Sequence, residues 1–152
     1  MDNYERYSKY LVRSINHIFQ QFLDDQSIEE VFEAQSKDSD PCVAVEIQGT
    51  IRGEIVINLP KKTLDMITKK FINKSDTRSI RRSHGDVAGE LANLITGTLA
   101  NQLQYAEHEI RLSPPEYNED PITIKALYEN INLSFNSKYG GFDVDFYYKD
   151  GS

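Results

Sequence analysis

Between Ser83 and Tyr105 the chain reads SHGDVAGELANLITGTLANQLQY, and this segment restricts the fold more than any other. At about 100° per residue, Val87, Leu91, Leu94, Ile95, Leu99 and Leu103 spread over roughly half of a helical wheel. A helix that apolar cannot lie on a surface. It requires layers on several sides, leaving only a thin polar ridge made of Asp86, Glu90, Asn93, Gly97 and Gln104. The rest of the chain must therefore supply the cover.

That cover has two periodicities. From residue 4 to about 23, Leu11, Ile15, Ile18 and Phe22 recur at helical steps, so the spacing predicts a long opening helix with one apolar stripe. After QSKDSDP, a polar loop ending at Pro41, the period becomes two. Val43, Val45 and Ile47 alternate with Ala44 and Glu46, and Ile51, Ile55, Ile57 and Leu59 alternate with Arg52, Glu54 and Asn58. These are two strands, each with one buried face, turning at Gly49. Pro60 opens a short helix with Leu64, Ile67 and Phe71 inward, because proline suits a first helical position. NKSDTRS ends it, and the apolar helix begins at about Ser83. Four further strands are expected around Ile110–Leu112, Ile122–Tyr128, Asn130–Phe135 and Phe142–Tyr148. The last two are joined by the glycine-rich SKYGG, and Pro114, Pro115 and EYNED form a loop. The order predicts one domain over residues 1–152, of α+β class: a mostly antiparallel sheet with long helices packed on it.

Composition narrows the function. The 24 acidic against 17 basic residues give a net charge of −7, which disfavours nucleic acid and anionic membrane as partners. A single cysteine, Cys42, rules out an internal disulfide and a thiolate metal cluster. The opening MDNYERYSKY is too polar for a secretion signal, and no apolar run approaches the roughly 20 residues that span a bilayer. A soluble, cytoplasmic domain is expected.

The chemistry has few places to reside. His17, His84 and His108 are scattered and read as surface side chains, and no phosphate-cradling glycine loop is present. Asp143 and Asp145 share one strand face, which in a hairpin reads as a solvated edge. What remains is the ridge. By spacing alone a charged stripe is an ordinary solvated face, and Asp86 is a first-turn acid beside a capping Ser83. The chain also holds a second Glu-x-x-Asn, Glu129 and Asn132, but there the period is two and the pair points to opposite faces of a strand. Only Glu90 and Asn93 become neighbours, because residues three apart on a helix lie side by side.

Asp86-x3-Glu90-x2-Asn93 on a long helix resembles the Asp/Ser-x3-Glu-x2-Asn signature of the CheC, CheX and FliY phosphatases of bacterial chemotaxis. CVAVEIQGTIRGEIVINLPKKTLDMITKKF is similar to that family's hairpin and short helix, as are the final strands, so the resemblance covers most of the chain. CheC-type members carry two signatures. Here the opening helix offers Glu5 but has Ser8 where asparagine would stand, and a single site on a chain of this length resembles CheX.

The resemblance implies a phosphatase acting on the aspartyl phosphate of a CheY-type response regulator, with Mg²⁺ supplied by that regulator and no cofactor of its own. It implies that Asn93 orients the attacking water and that Glu90 contacts the regulator's active-site lysine. Asp86 would be a secondary docking or capping residue. Gly97, one turn beyond Asn93, leaves room for a partner to lie close. The resemblance further implies a homodimer whose sheets join, the segment after Pro115 supplying the edge. A module that binds a phosphorylated regulator, or another chemotaxis protein, without turnover is the alternative; the intact amide of Asn93 favours the enzyme.

Overall fold

The computed structural model describes residues 2–120 and 128–150. The elements run α1 (Asn3–Phe22), β1 (Glu29–Val31), β2 (Cys42–Gly49), β3 (Ile51–Asn58), α2 (Lys61–Ile72), α3 (Thr77–Tyr105), β4 (Ile110–Leu112), β5 (Glu116–Asn118), β6 (Glu129–Ser137) and β7 (Gly140–Asp150). Every described strand pairing is antiparallel, in the order β1-β6-β7-β3-β2-β4, with β5 pairing the other half of β2. The expected α+β architecture is the observed one.

Strand alternation decides which face the helices take. Val43, Val45 and Ile47 of β2, Ile51, Ile55 and Ile57 of β3, and Phe142, Val144 and Phe146 of β7 are all buried on one side. They share a core with Leu11, Ile15 and Ile18 of α1, Leu64 and Ile67 of α2, and Leu91, Ile95 and Leu99 of α3. Phe19 stacks on Phe142 with ring centroids 5.0 Å apart, tying α1 to the central strand. Phe22, placed by its spacing in the α1 stripe, is instead 55% exposed. The helix ends at Leu23, and Phe19 and Leu23 fill the space that Phe22 would have taken.

The β2–β3 turn needs its glycine. Gly49 has φ +129°, and a Cβ there would lie 1.9 Å from the carbonyl oxygen of Glu109. A side chain at that point would be strained in its backbone and would collide with the chain entering β4.

Two other expectations are corrected, and one further strand is present. Glu116–Asn118 of EYNED is a strand, β5, held by pairing with Cys42–Ala44; only a partner strand distant in sequence makes it one. Glu29–Val31, without a periodic signal of its own, is a strand for the same reason, paired with Ser134–Asn136. Asp143 and Asp145 are not on a solvated edge, because β7 lies between β6 and β3 in the middle of the sheet. Asp143 is 4% exposed and accepts from the backbone N–H groups of Gln35 and Ser36 and from the Ser36 hydroxyl. That fixes the segment after β1 over the outer face of the sheet, where Cys42, Ala44, Val56 and Tyr147 form a second, small buried cluster. Thus β2 and β3 are covered in part on both faces. The strand expected at Ile122–Tyr128 lies almost wholly outside the described residues.

Candidate functional site

Helix α3 begins earlier than its apolar pattern indicates. Asp76 is the N-cap, its carboxylate accepting from the backbone N–H of Ser79 at 2.9 Å, and the helix is continuous from Thr77 for 29 residues. Ser83 is therefore not a cap. Asp86 lies in the third turn, too far from the end to satisfy a free N–H, which corrects its reading as a first-turn acid. Nothing between Thr77 and Gly85 breaks a helix, and an Asp at the cap position outweighs the polar look of NKSDTRS.

Two cross-links hold α3 against its neighbours. Gln102 Nε2 donates to the carbonyl of Tyr10 at 2.9 Å and to Ser14 Oγ at 2.6 Å, joining its C-terminal part to α1. His84 Nε2 lies 2.6 Å from Asp65 Oδ1, joining its N-terminal part to α2. His84 is thus a mostly buried bridging side chain and not the surface residue its isolation suggested. His108 is also half-buried, edge-on to Tyr7 with centroids 6.1 Å apart; His17 is exposed as expected.

Along the same helix Val87 is 5% exposed, and Leu91, Ile95, Leu99 and Leu103 are fully buried. Leu94 is half-buried at the margin. Asp86, Glu90 and Asn93 are exposed, on a strip of the middle of α3 that the fold leaves free. Among the described residues none of their side chains has an ion pair or a hydrogen bond. On a helix the pair at i and i+3 sits about 5–6 Å apart at Cβ, close enough to act on one small group.

The glycines of α3 separate cleanly. A Cβ on Gly85 would touch the Tyr117 ring at 3.4 Å, and one on Gly89 would meet Pro115 at 3.3 Å, so both are closely packed by the chain itself. A Cβ on Gly97 would meet nothing within 4 Å. Glycine inside a helix costs about 0.5–1 kcal/mol relative to alanine. At Gly97 the packing of this chain gives no reason for that cost, whereas a body lying against the ridge would.

The second Glu-x-x-Asn behaves differently. Asn132 on β6 donates its amide to Asp145 at 2.7 Å, and Asn58 donates to the other oxygen of the same carboxylate at 3.0 Å. Asn132 thus ties β6 to β7 and is not paired with Glu129. The acid-lined concavity around these residues, about 410 Å³, has its two central carboxylates occupied, Asp145 by the two asparagines and Asp143 by Gln35 and Ser36. At its wall burial pushes the Cys42 thiol up to about 11, helped by Glu54, so the thiol stays protonated at neutral pH and is a poor nucleophile. Among the described residues no three His, Cys, Asp or Glu side chains converge as metal ligands, and no helix is long and apolar enough to cross a membrane.

The sequence model of the family described as chemotaxis phosphatase CheX matches residues 41–129, more than half of the chain and the whole of α3 with its ridge. The chain belongs to the CheX family. No curated protein matches the sequence. Among solved structures, a CheX from Desulfovibrio desulfuricans is 20% identical, with 95% of this chain and 99% of that one covered and a TM-score of 0.78. The CheX–CheY–BeF3–Mg complex of Borrelia burgdorferi matches at 16% identity, 94% and 97% coverage, and a TM-score of 0.81. FliY of Thermotoga maritima shares less of the fold, at 18% identity, 92% and 85% coverage, and a TM-score of 0.60. The CheX-like fold therefore includes α1 and the β6–β7 hairpin, most of which lies outside the matched stretch.

Proposed function

We propose that this CheX-family chain hydrolyses the aspartyl phosphate of a CheY-type response regulator by inserting its α3 ridge into the regulator's phosphorylation site. The observation that carries the reading is an exposed, unpartnered Glu90–Asn93 pair on the stretch of α3 whose flanking residues Val87–Gly89, Leu91, Ala92, Ile95 and Thr96 are buried. Family membership adds support, and so does the structural similarity to a CheX seen in complex with CheY, beryllofluoride and Mg²⁺.

The chemistry asks little of such a protein. An acyl phosphate is already reactive, and its hydrolysis needs a water in line with the bond to the leaving carboxylate, so positioning accounts for much of the rate. The amide of Asn93 can both accept from and donate to a water, enough to hold it without adding charge near the phosphoryl group. The water oxygen attacks phosphorus, the bond to the aspartyl oxygen breaks, and the regulator's carboxylate and inorganic phosphate separate. Glu90, one turn earlier, pairs with the regulator's active-site lysine and sets the register of the two proteins. Asp86 extends that docking edge, and Gly97 lets the partner approach the helix backbone. The Mg²⁺ belongs to the regulator, whose phosphorylation site it completes.

Single-turnover decay of phosphorylated regulator tests this reading. Asn93→Ala should fold like the parent, since alanine favours helix and the position is exposed, and should slow turnover by orders of magnitude. Its binding to a beryllofluoride-loaded regulator should change far less. Glu90→Ala should weaken both, while Glu129→Ala should affect neither. Wild-type turnover by folded Asn93→Ala would refute the mechanism, and binding without turnover by the parent chain would make it a docking module.

A further inference from the structure

The net charge conceals a strong segregation. Residues 61–82 carry Lys61, Lys62, Lys69, Lys70, Lys74, Arg78, Arg81 and Arg82 against only Asp65 and Asp76, a net of +6, so the rest of the chain carries −13. All eight cations are exposed. Among the described residues none has a carboxylate within ion-pair distance, the one such contact being His84 with Asp65. They occupy α2, the short connection that carries Lys74 and the first turns of α3, the two helices being packed on one another. Arg78, Arg81 and Arg82 border an open concavity of about 430 Å³ with Thr77.

The placement matters more than the charge. Because α3 starts at Thr77, its ridge continues two turns beyond Asp86. Steps of four residues advance by about 40° around the helix, so Arg82, Asp86 and Glu90 follow one another along one strip, with Asn93 between them in angle and Arg78 at its border. Arg82 lies eight residues from Glu90, roughly 12 Å along the axis at 1.5 Å per residue. One straight helix thus presents cations at one end and the Glu90–Asn93 pair in the middle.

We propose that Arg78 and Arg82 form a second docking contact for the same response regulator, engaging an acidic surface on it roughly 12–18 Å along the α3 axis from the point where Glu90 meets it. The proposal rests on the function proposed above. A protein that holds Mg²⁺ beside an aspartyl phosphate does so with carboxylates, so its face around the site is anionic. On a chain of net charge −7, this patch concentrates eight of the 17 Lys and Arg into 22 residues, so it is where that face is attracted most. The patch orients the encounter as well as accelerating it, since long-range attraction draws the ridge toward the regulator and the acidic remainder away.

The test is the affinity of the full chain for each CheY-type regulator of the same cell, loaded with beryllofluoride and Mg²⁺ and measured from low to physiological salt. Arg78→Gln with Arg82→Gln should weaken binding roughly five- to tenfold at low salt and flatten the salt dependence. The control, Arg52→Gln with Lys149→Gln, removes the same charge from exposed positions paired across the outer face of the sheet, and should have a much smaller effect. Equal effects from the two double variants, or none from the first, would overturn the proposal. So would binding of duplex DNA or phosphatidylglycerol vesicles as tight as that of the regulator and equally dependent on the two arginines, which would make the patch a general polyanion site. Arginine-dependent binding with no turnover would overturn the phosphatase reading and leave the docking contact standing. A parent chain that bound no regulator would overturn both.

Discussion

Replacing Gly97 should move stability and function in opposite directions. In Gly97→Ala the new Cβ has no atom of the chain within 4 Å, so no packing is disturbed, and the residue is mid-helix with ordinary helical neighbours. The loss of glycine's freedom in the unfolded chain should stabilise the fold by about 0.5–1 kcal/mol. For a domain of this size 1 kcal/mol corresponds to about 2–4 °C, so the melting midpoint should rise by about 1–4 °C. Gly89→Ala is the internal comparison. There the Cβ must push on Pro115 from 3.3 Å, so the same backbone gain is offset by local strain and the rise should be smaller or reversed. On the functional side, a side chain at Gly97 enters the space assigned to the docked regulator. Gly97→Leu should cost about 1–3 kcal/mol of docking, as overpacking does elsewhere, or about a five- to 150-fold loss of affinity. Calorimetric melting and titration with beryllofluoride-loaded regulator measure the two effects separately. Undiminished affinity in Gly97→Leu would remove Gly97 from the docking surface. A destabilised Gly97→Ala would refute the packing argument behind it.

Two further outcomes follow from the fold. Asp25 is fully buried between the end of α1 and the β6–β7 turn, accepting from the N–H and hydroxyl of Ser27 and from the N–H of Lys138. Burial pushes its pKa up, but those hydrogen bonds outweigh it and leave the carboxyl below its ordinary value. A depressed carboxylate stabilises the fold above its unfolded pKa of about 3.9, and that contribution is lost as pH falls through the folded value. Asp25→Asn should therefore cost about 2 kcal/mol in denaturant titration near neutral pH, with the gap to the parent closing only below about pH 4; a gap insensitive to acid would refute this. We also expect a two-fold dimer in which the segment after Pro115 joins the sheets, since an unpaired strand edge invites association. Sedimentation showing a monomer at micromolar concentration would exclude it.

Much of this protein is legible in its sequence. The apolar breadth of α3, the period-two runs of β2 and β3 and the glycine-rich β6–β7 connection are local signals, because a helix or a strand buries residues at its own fixed period. The ridge was legible for the same reason: Glu90 and Asn93 share a helix, and their exposure follows from the apolar residues around them. Tertiary structure alone decided what depends on distant chain. Glu116–Asn118 and Glu29–Val31 are strands only because β2 and β6 offer them edges. Asp143 and Asp145 lie mid-sheet because β7 inserts between β6 and β3, a pairing no spacing encodes. His84 is a bridge because packing brings α2 within 2.6 Å of it. Gly85, Gly89 and Gly97 are alike in sequence, and only the neighbours of each Cβ distinguish the two the fold packs against from the one it leaves open.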